Sequence, residues 1–187
     1  MQILKSCHFG ADIGLRVLID KSLVFISVKN TTEMHDVKYT IEMHDLIQDM
    51  GKYVVNMQKD SGECSRLWLS EDFEEVMVNN KGTKAMEAIW VPYFNKPCFS
   101  KESMKIMQRL RMLCIHDSNC LAGSIEYLPN SLRCLVWNNY PCESLPENFE
   151  PKTLVHLDLS FSSLHHLWMG TKVQLDSIFF SLTIAVL

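Results

Sequence analysis

Two His-Asp pairs stand nine residues apart, His35-Asp36 and His44-Asp45, each inside the tetrapeptide EMHD. An imidazole beside a carboxylate can serve a metal-assisted hydrolysis, but only with two or more further ligands converging on the ion. The remaining histidines, His8, His116, His156, His165 and His166, show no helical ligand spacing, so no metal site is predicted. No G-x-S-x-G elbow is present to raise a nucleophile. The chemistry left for such a pair is electrostatic: an imidazole at a helix N-terminus, where backbone N–H groups and the positive end of the helix dipole can hold an anion.

The flanking residues decide which copy has that setting. After Asp45, the residues Leu46, Ile47, Met50, Val54 and Met57 recur at helical spacing. Asp45 is expected as the N-cap, with Gln48 three residues on as its capping-box partner. After Asp36, Tyr39, Ile41 and Met43 alternate with Lys38, Thr40 and Glu42, which is a strand pattern. The second copy therefore ends a strand and opens a helix, and Met43, His44 and Asp45 are the candidate site. The first copy falls in the wing of a hairpin.

The elements that must position this site are short. A helix is expected from Asp12, its cap, to about Lys21, and SLVFISV (22–28) reads as a buried strand. Helix, strand, strand and helix within 1–60 predict a winged-helix domain. Residues 61–106 read as a linker segment: a helix capped by Ser70, a strand in AMEAIWV and a helix capped by Ser100. From Leu110 a period of 22 sets in. It aligns Leu110, Leu132 and Leu154; then Leu113, Leu135 and Leu157; then Ile115, Trp137 and Leu159. This is the LxxLxL pattern of leucine-rich repeats, in which no unit buries its own apolar face and each stacks on the next. Two to three units span 107–172, and an apolar, divergent tail follows over 173–187. The predicted fold class is α+β, a winged-helix domain followed by a short leucine-rich-repeat solenoid. Trp90, Trp137 and Trp168 are expected in the core. Trp137, replacing an aliphatic residue in its column, should widen the first turns or stay half exposed.

The net charge is −4, and residues 1–60 hold seven Lys/Arg against eight Asp/Glu. Nucleic-acid and anionic-membrane surfaces carry a basic excess, so neither partner is expected. The seven cysteines show no zinc-ligand spacing and read as reduced, mostly buried thiols. The last eleven residues are apolar but short of a bilayer span. The N-terminus has no secretion-signal pattern.

The phrases GADIGLRVLIDKSLVFIS, IEMHDLIQDMGKYVV, SRLW, NKGTKAMEAIW and LPNSLRCLVWNNYPCESLPENFEPKTLVHLDLSFSSLHHLW follow one another in this order. Over residues 1 to about 170 they resemble plant intracellular disease-resistance receptors of the TIR–NB-ARC–LRR class. The resemblance implies a fragment holding the winged-helix end of NB-ARC and the first repeats, with a role in defense signalling. It implies that Met43, His44 and Asp45 form the motif that senses ADP in the full-length receptor, and a cytoplasmic or nuclear location. Its partners would be the nucleotide-binding half of the receptor or other immune-receptor chains, with a protein ligand on the repeats. No G-x-x-x-x-G-K-[ST] phosphate loop occurs, so the chain is not expected to be an enzyme or to bind ADP or ATP in isolation. The alternative is an inactive truncated or splice product.

Overall fold

The computed structural model describes residues 10–30, 37–57, 64–94, 99–117, 125–162 and 164, and the chain divides into two compact units, 1–57 and 58–187.

In the first unit, helix α1 spans Ala11–Asp20. Its N-cap is Gly10, in the left-handed region at φ 64°, with no side-chain cap bond. Asp12 is thus not the cap: it sits in the first turn, where its charge complements the helix dipole. The helix ends on Ser22 at φ 56°, with Leu23 N–H donating to Leu18 O at 2.9 Å, the bond that closes a Schellman turn. Strands β1 (Val24–Asn30) and β2 (Val37–Met43) pair antiparallel from Val24↔Met43 to Asn30↔Val37. Across the ladder, Ser27 Oγ donates to Glu42 Oε1 at 2.5 Å. The expected buried strand is only partly so. Val24 is buried, but Phe25 and Ile26 are exposed, because a two-stranded ribbon leaves a face with no sheet behind it. Helix α2 spans Asp45–Asn56.

The second unit holds strand β3 (Arg66–Leu67), helix α3 (Ser70–Val78), strand β4 (Ala88–Val91), helix α4 (Lys101–Ile106), and strands β5 (Met112–Ile115), β6 (Cys134–Trp137) and β7 (His156–Asp158). The five strands form one parallel sheet in chain order. Leu113, Leu135 and Leu157 stand side by side, as do Ile115 and Trp137. All nine residues of the three 22-residue columns are buried. The backbone repeats with them. Arg111 N–H donates to Glu87 O, Arg133 N–H to Arg111 O and Val155 N–H to Arg133 O, at 2.8, 2.8 and 2.7 Å. Asn139 and Phe161, also 22 apart, both take positive φ in the turn after their strands.

Residues 64–91 are not a separate linker. Leu67 pairs beside Ile89, and Ile89 beside Leu113, so β3 and β4 continue the same sheet. Burying Leu67, Ile89 and Val91 against Phe73, Met77 and Phe94 leaves this segment no core of its own. Helix α3 starts one residue before the expected position. Its N-cap is Leu69 and Ser70 lies inside, whereas Ser100 caps α4 as expected, accepting from Ser103 N–H at 2.9 Å. Trp137 is fully buried rather than half exposed, since Phe99 and Tyr140 close on it at ring distances of 5.0 and 5.2 Å. Trp90 is 44% exposed and outside the core. It points to the sheet face opposite the leucines, one residue out of phase with Ile89. Trp168, Leu167, His165, His166 and the 173–187 tail lie outside the described residues. No described helix is long and apolar enough to cross a membrane.

Candidate functional site

Met43, His44 and Asp45 occupy the junction of β2 and α2. Met43 is the last ladder residue, opposite Val24. Its chain direction is therefore fixed by the hairpin, and the helix must start at once. The cap is His44, with φ −62° and ψ 137°, not Asp45. His44 O accepts from Ile47 N–H at 2.9 Å and Gln48 N–H at 3.1 Å, and Nδ1 of the same residue accepts from Leu46 N–H at 3.4 Å. An extended residue whose carbonyl accepts the first intrahelical bond is the cap by definition, and the strand keeps His44 extended. Asp45 becomes the first helical residue, its carboxylate in the first turn. Gln48 does reach back, but its Nε2 donates to Met43 O at 3.4 Å instead of closing a capping box on Asp45.

The consequence is an exposed imidazole whose Nδ1 is engaged by the helix start, leaving Nε2 as the second functional nitrogen. The Leu46 bond is long for an N–H donor and therefore weak, so the ring can swing without great cost. The helix dipole makes this end favourable for an anion. Asp45 occupies part of that positive field and opposes a second negative charge. The arrangement offers one imidazole and one helix N-terminus. The first EMHD copy, with His35 and Asp36, lies outside the described residues.

Along α2, Leu46, Met50, Tyr53, Val54 and Met57 are all exposed, and no described residue of the helix is buried. The apolar periodicity that revealed this helix thus lines an open surface.

In the second unit, the sheet face opposite the leucines carries Trp90, whose ring meets His116 at 5.1 Å, and the partly buried Met112 and Val136. Cys114 and Cys134 lie on that face too, yet both are buried. The hydrogen bond between these thiols, reinforced by burial, holds Cys134 protonated well above the usual thiol range. Tyr140, held mainly by burial, is shifted upward as well. Neither group is poised to give up its proton. Cys64, Cys114, Cys134 and Cys142 are free thiols. Among the described residues, no group of three His, Cys, Asp or Glu could hold a metal ion.

Sequence reasoning missed two features. Gly82 lies so near α4 that a Cβ there would meet Ser103 O at 2.4 Å and Ser103 Cα at 2.8 Å. Arginines also gather at one edge of the sheet: Arg66, Arg111 and Arg133 each stand at, or one residue before, the start of a strand, with Arg109 close by. Their recurrence 22 residues apart at 111 and 133 was the available signal.

The winged-helix domain family of Roq1-like disease resistance proteins matches residues 1–59. TMV resistance protein N of Nicotiana glutinosa is 57% identical over 92% of this chain. Disease resistance proteins RRS1B and RPP2A of Arabidopsis thaliana are 36% and 35% identical over 92% and 91% of it. The chain spans about 14% of the length of the first of these relatives, and 14% and 13% of the others.

Proposed function

Because the chain belongs to the plant disease-resistance proteins, we propose that it is a regulatory and interaction segment of an intracellular immune receptor, acting in the cytoplasm in defense signalling. Its first unit closes the nucleotide-binding region. Its second unit forms the opening turns of a leucine-rich-repeat solenoid. Met43, His44 and Asp45 sense ADP in the full-length protein: the nucleotide's phosphates are held by other residues, and the His44 ring completes their contacts in the closed state. ADP then favours that state only by the difference in its affinity for the two.

The observation that carries this reading is the placement of His44. It is exposed, at a helix N-terminus, at the end of a strand that fixes its approach. The open apolar side of α2 supports a packing partner for the same unit. The 22-residue columns, buried in register, support the solenoid. The partner is the nucleotide-binding half of a receptor of this family.

Co-expression of the full chain with the nucleotide-binding half of TMV resistance protein N, followed by co-purification in ADP, tests the proposal. The expected result is a complex that retains ADP, and a His44→Ala chain that still assembles but loses the nucleotide faster. Absence of co-purification in ADP would leave the inactive truncated product as the reading. Equal ADP retention by His44→Ala would remove the sensing role. The chain alone is expected to show no micromolar ADP affinity in equilibrium dialysis.

A further inference from the structure

Apolar burial is divided unequally between the two units. Among the described residues, Val24 is the single buried apolar side chain of the first unit, and every other one belongs to the second. Eleven large apolar side chains of the first unit are exposed, Ile13 at 75% among them, against six in the second. They fall on every element: Ile13 and Val17 on α1, Phe25, Ile26 and Ile41 on the hairpin, and the open side of α2. These elements are of a kind that does not hold alone. Helices α1 and α2 have ten and twelve residues. Isolated helices shorter than about 12–15 residues are marginal in water even when alanine-rich. A two-stranded hairpin is marginal by itself as well. Each helix also carries a glycine in its interior, Gly14 and Gly51. A Cβ at either would meet nothing within 4 Å, so no packing in this structure calls for them. A glycine inside a helix weakens it, because it loses more backbone freedom on ordering than alanine does.

We infer that the first unit folds through its partner: α1, the hairpin and α2 hold together only when the nucleotide-binding half of a receptor of this family covers their apolar faces. The inference rests on the partner proposed above and adds how that contact is regulated. The occupant follows from what each candidate brings. A second copy of this chain would bring the same short elements and no core to complete them. The chain spans 14% of the length of its Nicotiana glutinosa relative, so the larger part of such a receptor remains to cover these faces. Folding and binding are then one equilibrium. Apparent affinity is lowered by the fraction of free chains in which the unit is ordered, and whatever raises that fraction tightens the complex by the same factor. His44 stands where β2 ends and α2 begins, so its ring takes its place only in the ordered fraction. The sensor is completed by the surface it reads.

Hydrogen exchange read by mass spectrometry tests this on the full chain, alone and with the nucleotide-binding half of TMV resistance protein N in ADP. In the free chain, amides of α1, β1, β2 and α2 should exchange within about tenfold of the unfolded rate, and those of β5–β7 at least about a thousandfold more slowly. Adding the partner half should slow the first-unit amides by about a hundredfold or more. Gly14→Ala and Gly51→Ala should each tighten the complex, by up to about fivefold, through a larger ordered fraction. Both substitutions strengthen a helix, so neither variant depends on surviving a loss of fold. First-unit amides as protected in the free chain as those of β5–β7 would overturn the inference. So would affinity unchanged or weakened in both glycine variants. Either result leaves the proposed partner in place. An unprotected first unit that never co-purifies with the nucleotide-binding half removes that partner, and the coupling with it.

Discussion

Leu135→Ala tests the stacked columns directly. Leu135 is fully buried in β6, between Leu113 and Leu157 on the adjacent strands. The substitution removes three carbons from the core, a transfer loss of about 2.4 kcal/mol at ~0.8 kcal/mol per buried methylene. Neighbours on both sides are held by their own ladders, so the space cannot close completely. The residual cavity adds roughly 1–2 kcal/mol. The expected destabilisation is therefore about 3.4–4.4 kcal/mol, large beside the ~5–15 kcal/mol of a typical domain. The control is Val136→Ala, one residue on, half-buried on the opposite face, with an expected cost under ~1 kcal/mol. Because the chain has two units, hydrogen exchange of the β5–β7 amides under native conditions is the better assay, as it reports on the second unit alone. Equal effects at 135 and 136, or a larger one at 136, would mean the strand presents its other face to the core, and the column reasoning would fail.

Gly82→Ala should destabilise the second unit by ~1–3 kcal/mol, because the new methyl meets Ser103 backbone and not a movable side-chain tip; a thermal melt checks it. Ser100→Ala should cost about 1–2 kcal/mol, measured by urea titration, since the buried hydroxyl accepts from Ser103 N–H and donates to Asn80 Oδ1 at 2.5 Å. The raised Cys134 pKa has a definite sign: the unfolded chain gives up this proton first. Its contribution is thus complete below the ordinary thiol range of about 8.5 and declines as pH rises beyond it. Urea midpoints should accordingly fall above about pH 9, less steeply in Cys134→Ala. In mass-resolved alkylation near neutral pH, the partly exposed Cys142 should react before buried Cys134.

The repeat was legible because its signal is redundant: three columns share one period, and each column residue has a single destination, the core. The segment before it was not, for a definite reason. Leu67 and Ile89 also lie 22 apart, but Ile89 and its strand neighbour Leu113 lie 24 apart, so two extra residues break the period where β4 meets β5. The strand AIWV was readable by composition, yet its membership of the sheet was not. At the candidate site, strand, helix and motif were all legible, and the cap was off by one. Asp is the better capping residue by propensity, but the ladder to Val24 holds the chain extended through Met43, and His44 takes the position. Burial of Phe25 failed on another ground, because apolar composition cannot tell a central strand from one arm of a ribbon.

The backbone bonds that pass from Glu87 to Arg111, Arg133 and Val155 link each turn only to the one before. Tension drawn along the stack is consequently not shared across the whole sheet at once. It would load the strand at the end of the sheet, which would peel away while its neighbour keeps its own bonds; a peel at β6 or β7 would pay out 22 residues, about 7 nm of extended chain, and one where β4 meets β5 would pay out 24. The sheet would yield strand by strand, with one step longer than the rest.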